Sequence, residues 1–403
     1  MRNRWFIALA AIGLHISIGS VYAWSVLTRP IMVDMGFTLS QTTWTFSLAI
    51  LMLGLSAGFL GSFAEKIGPK KSGLLAMLFW VTGLFGTAYA LSIHNLTLLY
   101  FFYGIIGGIG LGIGYITPVS TLVKYFPNRP GFATGLAIMG FGFASLIAGP
   151  LMQYLVAQVG LVDNFIILGI IYLVVMGASS LYLKAPQQKH LTRTTKDKST
   201  MYVHNHGMLA NDAMKTWQFS ALWWIFFVNI TCGIGLLSLA SPMAQETIGM
   251  TPAAAASLVG IIGIFNGGGR IAWSTISDYL GRAQTYILFF IIEIVAFYLL
   301  AQTNSALTFQ ILILLIITCY GGGFACMPAY LADLYGIRQL STIHGRILTA
   351  WGLAGIAGPM LVSYFHEAGY GYTTALECFA ALFVINTIIA IALKLYGKRE
   401  LHN

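Results

Sequence analysis

Charged side chains are scarce in this 403-residue chain, in which Asp, Glu, Lys and Arg together make up only 8% of the residues. A water-soluble domain normally carries about a quarter charged residues. Hydrophobic residues make up 58% of the sequence, so the chain lacks the side chains that would keep its surface in water. We therefore expect a polytopic membrane protein whose solvent is the lipid bilayer.

Other features are also missing, and each absence argues against a class of protein. The four cysteines all lie inside apolar segments without metal-ligand spacing, so neither disulfide bonds nor a metal site is expected. No Gly-x-x-x-x-Gly-Lys-Ser/Thr motif occurs, so ATP hydrolysis by this chain is not indicated. No nucleophile and base stand at a compatible spacing, and we expect neither an enzyme nor a cofactor.

The sequence contains long runs of apolar residues that few charged residues interrupt. A bilayer core of roughly 30 Å requires about 20 apolar residues per helix. Twelve such runs occur, at residues 5–27, 43–63, 73–92, 96–122, 132–157, 164–183, 219–240, 253–275, 284–302, 306–328, 345–365 and 373–394. We predict an all-α fold with one six-helix bundle in residues 1–183, a cytoplasmic linker in 184–216 and a second six-helix bundle in 217–403.

Lysine and arginine are distributed asymmetrically over the loops. If the helices alternate in direction, Arg29 lies on one side, Arg270 lies within the membrane, and the rest of the 21 lie on the other side. Basic loops stay in the cytoplasm during insertion, so we expect both termini to be cytoplasmic and the protein to lie in the cell membrane. Because the basic residues are spread over loops, the net charge of +9 does not indicate nucleic-acid binding.

The linker is the longest polar stretch. It contains three histidines, which could hold a metal ion only if nearby residues supplied a fixed coordination geometry, and no such residues stand beside them. These are His190, His204 and His206.

The two halves of the chain share landmarks in the same order and at nearly constant offset. The correspondences are Glu65 with Asp278 (213 residues apart), Pro118 with Pro328 (210 apart) and Pro150 with Pro359 (209 apart). A repeat of this length indicates duplicated six-helix bundles.

Residues 61–71, Gly-Ser-Phe-Ala-Glu-Lys-Ile-Gly-Pro-Lys-Lys, resemble the signature loop of the major facilitator superfamily, with Glu65 in place of its usual aspartate. The resemblance covers essentially the whole chain. It implies two bundles that rock about a central site, with helices three, six, nine and twelve outermost. It also implies that Glu65 and Asp278 act as a cytoplasmic gate by meeting helix N-termini, at about 0.3–1 kcal/mol per contact. The alternative is that both acids only mark cytoplasmic turns.

Arg270 stands about 18 residues into helix eight, whose Thr251-Pro252 is typical of a helix start. An arginine at a helix centre costs about 2.5–3.5 kcal/mol on insertion scales. The one clearly mid-membrane acid, Glu293, belongs to helix nine on the implied periphery, where it is either structurally paired or a proton or cation site. Since a guanidinium can bind both carboxylate oxygens, we expect Arg270 to bind a small organic anion. The alternative is a structural arginine paired with Glu293 or with backbone carbonyls.

Further side chains are candidates for the same site. Asn266 lies one turn before Arg270 and either orients the guanidinium, contacts the substrate or serves as a structural cap. On helix one, His15 and Tyr22 share a stripe, and His15 is either a proton-coupling group that titrates near neutrality or a packing residue. Aromatic walls around the anion, or else packing residues, are Tyr115, Tyr320 and Trp351.

Several short segments resemble the oxalate/formate antiporter family, which is related to the monocarboxylate transporters. They are Tyr-Ala-Trp-Ser-Val at 22–26, Phe-Asn-Gly-Gly-Gly-Arg at 265–270, Ser-Asp-Tyr-Leu-Gly-Arg at 277–282, Tyr-Leu-Ala-Asp-Leu-Tyr-Gly at 330–336 and Thr-Ala-Trp-Gly-Leu-Ala-Gly-Ile-Ala-Gly-Pro at 349–359. The resemblance implies substrate-binding roles for Arg270 and Trp351. Oxalate exchange in that family also uses a lysine within helix eleven, whereas no Lys or Arg occurs here between Ile347 and the end of that helix.

A single cation would leave one charge of oxalate uncompensated where desolvation costs several kcal/mol. We therefore expect a secondary active transporter of a small monocarboxylate of the lactate, pyruvate or formate type, working by proton symport or anion exchange with alternating access. The alternatives are an oxalate/formate-type dicarboxylate exchanger and an anion sensor that keeps a transporter fold without transporting. The expected partners are the anion, a proton and bilayer lipid, and we expect a monomer.

Overall fold

The computed structural model describes residues 3–125, 130–185, 207–336 and 339–396, without the side chains of residues 62, 65, 120, 123, 124, 130–134, 340 and 341. Ten helical stretches in these ranges are long and apolar enough to cross a membrane. Two of them, 48 and 55 residues long, each contain two helices. The described residues therefore form twelve membrane-spanning helices, and the predicted fold is confirmed.

The first half of the chain supplies α1 to α6. α1 comprises Arg4–Gly19, a 3₁₀ turn at Ser20–Ala23 and Ser25–Met35. α2 is Leu39–Ile67, α3 is Pro69–Ser92, and α4 comprises Leu96–Leu99, the π-helical Tyr100–Gly107 and Gly108–Tyr125. The stretch Pro130–Tyr182 contains α5 and α6, which meet at Gly160, where φ is 85° and the helix is interrupted.

The second half supplies α7 to α12. α7 comprises Trp217–Ser238 and Ala240–Ile248, α8 is Pro252–Leu280, α9 is Arg282–Gln302 and α10 is Ala306–Tyr335. α11 comprises Leu340–Ile347 and Thr349–Phe365, and a turn at His366–Tyr370 leads to α12, Gly371–Tyr396.

The predicted linker lies mostly outside the described residues, as do its three histidines. Its described part includes a short helix at Ala210–Ala213, whose Ala210 N–H donates to Gln339 Oε1 at 2.7 Å. The end of the linker is thus attached to the loop between α10 and α11. The domain boundaries at residues 183 and 217 stay a prediction.

Several helices are longer than the apolar runs that predicted them, because polar capping residues extend them beyond the hydrocarbon region. α2 begins at Leu39 rather than residue 43, since Thr38 and Gln41 form a reciprocal capping box with distances of 2.9 and 3.2 Å. α8 begins where expected, with Thr251 accepting a hydrogen bond from Ala254 N–H at 3.3 Å.

The turn between α2 and α3 resembles the turn between α8 and α9. Gly68, with φ 81°, and Gly281, with φ 91°, stand between the two helices of each pair. Glycine adopts such positive φ values without steric cost. The two glycines are 213 residues apart, the offset that also relates Glu65 to Asp278. The internal repeat is therefore present in backbone geometry as well as in sequence.

α1–α6 and α7–α12 form two bundles that meet where α2 packs on α11 and α5 packs on α8. Glycines line both contacts. A Cβ atom on Gly54 would lie 2.5 Å from the Cα of Gly352, and one on Gly142 would lie 2.9 Å from the Cα of Gly267. The backbones of the two bundles can approach this closely only because side chains are absent there.

At the end of the molecule that carries Arg29, polar side chains link the two bundles. Arg29 Nη2 on α1 lies 3.2 Å from Glu246 Oε1 at the end of α7, and His366 Nε2 lies 2.7 Å from the other oxygen of Glu246. The Ser40 N–H and hydroxyl on α2 donate to Glu367 at 2.8 and 2.5 Å. We call these five residues the Arg29 cluster. It joins α1 and α2 to α7 and the α11–α12 turn, and so closes this end.

Candidate functional site

Arg270 lies between the two bundles and is only 1% exposed. Its Nε donates to Asn266 Oδ1, one turn earlier on α8, at 3.2 Å. Within the described residues, Nη1 and Nη2 have no hydrogen-bond partner. An unpaired buried donor is costly, and a guanidinium presents its Nη groups as a planar fork. The free fork of Arg270 is therefore available to a bound anion.

Glycines on α8 and α10 hold this arginine in place. A Cβ on Gly269 would lie 2.6 Å from the Thr318 carbonyl oxygen, and one on Gly321 would lie 3.3 Å from Arg270 Cγ. The two helices therefore pack backbone to backbone, with the aliphatic part of Arg270 against Gly321. The local sequence Asn-Gly-Gly-Gly-Arg thus places the amide and the guanidinium on one face and leaves room for α10.

Aromatic rings from both bundles surround the guanidinium. The ring of Phe324 lies 5.0 Å from Arg270 Cζ, a cation–π distance. Trp351 on α11 contacts Phe324, Tyr115 and Phe141, with ring centroids 4.9, 5.0 and 6.0 Å apart. We call the group around Arg270 the aromatic cluster; its members are Tyr22, Tyr115, Phe141, Tyr320, Phe324 and Trp351.

Two tyrosines join the bundles within this cluster. The hydroxyl of Tyr22 on α1 lies 2.8 Å from the hydroxyl of Tyr320 on α10. The hydroxyls of Tyr22 and Tyr115 also lie within interaction range of the Arg270 guanidinium, so the neighbours of its fork are neutral phenols rather than a counter-charge. The structure therefore brings together all six residues predicted to bind substrate, from α1, α4, α8, α10 and α11.

Two more buried donors in this region have no partner in the described structure. They are Asn266 Nδ2 and Trp351 Nε1, on side chains that are 1% and 0% exposed. Buried polar groups are almost always hydrogen-bonded in proteins, so these donors, like the fork of Arg270, require a partner. A ligand with several lone pairs, such as a carboxylate, would supply it.

His15 is fully buried beside this cluster and bonds to the backbone of two neighbouring helices. Its Nδ1 lies 2.5 Å from the Ala137 carbonyl oxygen and its Nε2 lies 2.9 Å from that of Tyr115. A neutral imidazole has one N–H and a protonated one has two, so only the protonated ring donates to both carbonyls. The proton-coupling role of His15 stays a prediction.

Glu293 belongs to α9, which was expected at the periphery, but its side chain faces the interior of its own bundle. α9 does turn Ile291 and Val295 outward, but Glu293 is fully buried. It accepts hydrogen bonds from Asn229 Nδ2 on α7 at 3.2 and 3.4 Å. Glu293 is therefore paired within its own bundle, as one of the two expectations had it, because a helix at the periphery still presents one face to its bundle. The alternative in which Arg270 pairs with Glu293 does not occur.

Of the two predicted gate residues, the structure describes the side chain of Asp278 but not that of Glu65. Asp278 forms an ion pair with Arg282 at 2.6 Å, and Arg282 Nε lies 3.6 Å from Asp333 at the end of α10. These three side chains join α8, α9 and α10 of one bundle. Glu65 lies in α2, and its side chain is outside the described part of the structure. The gating role of both acids stays a prediction.

Two members of the aromatic cluster were not predicted from the sequence. Phe141 stands between Gly140 and Gly142, and Phe324 follows Gly321, Gly322 and Gly323. In both cases a large ring sits beside glycines at a close helix contact. That pattern could have indicated them, whereas hydrophobicity alone could not separate them from the other 24 phenylalanines of the 26.

Comparison with known proteins identifies relatives along the whole chain. The family pattern of the Major Facilitator Superfamily matches residues 6–359 and also 222–402. The chain is 29% identical over 358 residues to "Uncharacterized MFS-type transporter YhjX" of Escherichia coli (strain K12), a match that covers 88% of this chain and 86% of that protein. It is 27% identical over 396 residues to "Oxalate:formate antiporter" of Oxalobacter formigenes, covering 97% and 90%. A shorter match, 28% over 170 residues, covers 42% of this chain and 33% of human "Monocarboxylate transporter 14".

Two solved structures share the architecture. A bacterial homolog to the human lysosomal transporter Spinster, in an inward-facing and unoccupied conformation, superposes with a TM-score of 0.75 at 14% identity over 96% of each chain. A D-xylose-proton symporter superposes with a TM-score of 0.72 at 15% identity, covering 96% of this chain and 97% of that one. At these identities the likeness concerns the fold.

Proposed function

This chain belongs to the major facilitator superfamily, with relatives that include an oxalate:formate antiporter and monocarboxylate transporters, and from this premise we propose that it is a secondary active transporter of a small monocarboxylate. The observation that carries the proposal is the buried, unpaired fork of Arg270 inside the aromatic cluster. In a family of carriers, a buried charge without a counter-charge in the described structure is a candidate binding site for cargo of opposite charge.

Each predicted residue has a role in the proposed complex. The carboxylate accepts hydrogen bonds from Arg270 Nη1 and Nη2, while Asn266 holds Nε and offers its free Nδ2. Tyr22 and Tyr115 contribute hydroxyls beside the carboxylate. The rest of the molecule packs against rings of the aromatic cluster, including Tyr320 and Trp351.

A monoanion fits this site better than a dianion. Arg270 is the one arginine or lysine that the described structure places in the aromatic cluster, and α11 carries no basic residue between Ile347 and Phe365. The second carboxylate of oxalate would be enclosed by aromatic rings without a counter-charge. Such a buried, unpaired charge costs several kcal/mol, whereas the methyl group of pyruvate or lactate gains from contact with the rings.

The packing of the two bundles supports transport by alternating access. The Arg29 cluster closes one end, and the site at the centre is enclosed. For the substrate to leave, α1–α6 must move relative to α7–α12, with Glu65 and Asp278 as the proposed gate at the basic end. We place that basic end, both termini included, in the cytoplasm, and the protein in the cell membrane. His15, the proton-coupling candidate from the sequence, lies beside this site.

Counterflow in proteoliposomes tests the proposed substrate class. Vesicles loaded with one anion are diluted into the same labelled anion, and formate, lactate and pyruvate are compared with oxalate, with lactamide as an uncharged control. Monoanions are expected to exchange at least ~10-fold faster than oxalate, because the second charge costs more than the ~1.4 kcal/mol that corresponds to a factor of ten. Lactamide is expected not to exchange.

The other outcomes separate the alternatives. If oxalate exchanges as fast as the monoanions or faster, the protein is a dicarboxylate exchanger and the monoanion assignment is wrong. If anions bind saturably to the purified protein and none exchanges, the chain is a sensor rather than a carrier.

A further inference from the structure

Glu293 is a second ionisable group inside the bundle of α7–α12, and the site around Arg270 makes no use of it. Its carboxylate is fully buried, and its hydrogen-bond partner among the described residues is Asn229 on α7. Among the described residues, the ionisable groups on which the Glu293 charge acts are the thiols of Cys232 on α7 and Cys319 on α10. α12 faces the same part of α9 with phenylalanine rings, including Phe383.

α10 connects this carboxylate to Arg270. Successive helix residues are about 100° apart, so Gly321 and Gly323 face opposite sides of α10. Gly321 contacts Asn266 and Arg270, and Gly323 contacts Asn229. The Tyr286 hydroxyl, which lies two turns before Glu293 on α9, donates to the Gly323 carbonyl oxygen at 2.6 Å. A change at Asn229 therefore reaches the α10 segment on which Arg270 rests.

We propose that Glu293 binds the transported proton, so that the carrier moves one proton with each monocarboxylate. This inference rests on the proposed function. The chemical basis is the net charge of Arg270, Glu293 and the bound anion within the bundle of α7–α12. When substrate is bound, the anion neutralises Arg270 and the protonated Glu293 is neutral. When the site is empty, the Glu293 carboxylate balances the charge of Arg270.

Two other combinations of anion and proton are possible, and their net charge explains why one proton would move with each anion. An anion-loaded carrier with ionised Glu293 carries one net negative charge, and an empty carrier with protonated Glu293 carries one net positive charge. Uncompensated charge inside the apolar part of a membrane protein is costly, so these forms change orientation slowly. Only the proton together with the anion, or neither, then crosses.

Asn229 suits a carboxyl group that alternates between two protonation states. Its Nδ2 donates to the carboxylate, as observed, and its Oδ1 has no partner in the described structure. When Glu293 is protonated, the amide can turn so that Oδ1 accepts the new O–H. A lysine or arginine in place of Asn229 would stabilise only the ionised form.

Two assays on the same proteoliposomes test this assignment with Glu293→Gln. Counterflow at equal pH requires no net proton movement, whereas accumulation driven by an inward proton gradient does. The variant is expected to keep counterflow at a rate near that of the wild type and to lose gradient-driven accumulation. Glu377→Gln, which removes an exposed carboxylate at the start of α12, is the matched control and is expected to keep both activities.

A wild-type measurement keeps the proposal testable if Glu293→Gln does not fold. Purified protein in weakly buffered detergent solution is expected to take up one proton per anion bound, read with a pH indicator. Absence of proton uptake would overturn the proposal.

The remaining outcomes are also decisive. Gradient-driven accumulation by Glu293→Gln would overturn the proposal. If His15→Gln loses gradient-driven accumulation and Glu293→Gln keeps it, the proton is assigned to His15 instead. Wild-type accumulation driven by a Na⁺ gradient instead of a proton gradient would overturn it too. If the wild type shows counterflow but no proton-driven accumulation, the Glu293 proposal is overturned and the proposed function stands. If the wild type shows no counterflow, the proposed function itself is contradicted.

Discussion

Replacement of Arg270 by glutamine is expected to reduce monocarboxylate counterflow at least ~100-fold. Two charge-assisted hydrogen bonds to the carboxylate are lost, each worth roughly 1.5–3 kcal/mol, and a factor of 100 corresponds to ~2.8 kcal/mol. Glutamine also removes a buried charge that has no counter-charge among the described residues, so the variant is expected to fold. Initial rates in proteoliposomes measure the effect, and thermal unfolding of the purified variant checks that the protein is intact.

Arg270→Lys separates charge from geometry in the same assay. Lysine keeps the positive charge but presents a single ammonium in place of a planar fork, so it cannot bind both carboxylate oxygens in the same way. We expect a counterflow rate between the rates of the wild type and of Arg270→Gln. Wild-type rates in Arg270→Gln would show that the carboxylate binds elsewhere.

Replacement of Gly54 by alanine is expected to slow transport strongly without changing the substrate site. The added Cβ would lie 2.5 Å from the Cα and the backbone nitrogen of Gly352 on the other bundle, where no flexible side chain can move aside. Overpacking of this kind costs about 1–3 kcal/mol, and each ~1.4 kcal/mol added to a barrier slows a step tenfold. We therefore expect turnover to fall about 5- to 140-fold, measured as the maximal counterflow rate.

Gly268→Ala is the matched control for this variant. It makes the same substitution inside α8, two residues from Arg270, yet its added Cβ has no atom within 4 Å. Alanine favours a helix over glycine by roughly 1 kcal/mol at both positions, so helix propensity does not distinguish the two variants. Gly268→Ala is expected to transport like the wild type. Equal rates in both variants would show that close packing of α2 on α11 is not part of the transport cycle.

The helices and the central arginine were predictable from the sequence for simple physical reasons. A bilayer requires about 20 apolar residues per helix, and this chain has few charged residues to interrupt such runs. Arg270 was conspicuous as the one basic residue away from the ends of these runs. The repeat of Glu65 and Asp278 indicated duplicated bundles, and Gly68 and Gly281, which stand at the same offset, both have positive φ.

Side-chain directions and contacts between the halves were less accessible. Helices that are apolar on every side give no periodic signal of which face is buried, so the sequence did not identify Asn229 on α7 as the partner of Glu293. The Arg29 cluster joins residues more than 200 positions apart, such as Arg29 and Glu246. Nothing in the local sequence around either residue indicates the other. Phe141 and Phe324 were missed because their role depends on helices that meet only in three dimensions.

A structure of the protein with bound 2-bromopropionate tests the account most directly. This compound is a monocarboxylate whose bromine can be located by anomalous scattering, so its position does not depend on the shape of the density. The predicted result is a carboxylate with its oxygens about 2.7–2.9 Å from Nη1 and Nη2 of Arg270, and with bromine against the aromatic cluster. Bromine found away from this cluster, with Nη1 and Nη2 bonded to the protein instead, would contradict the assignment of Arg270 as the carboxylate anchor.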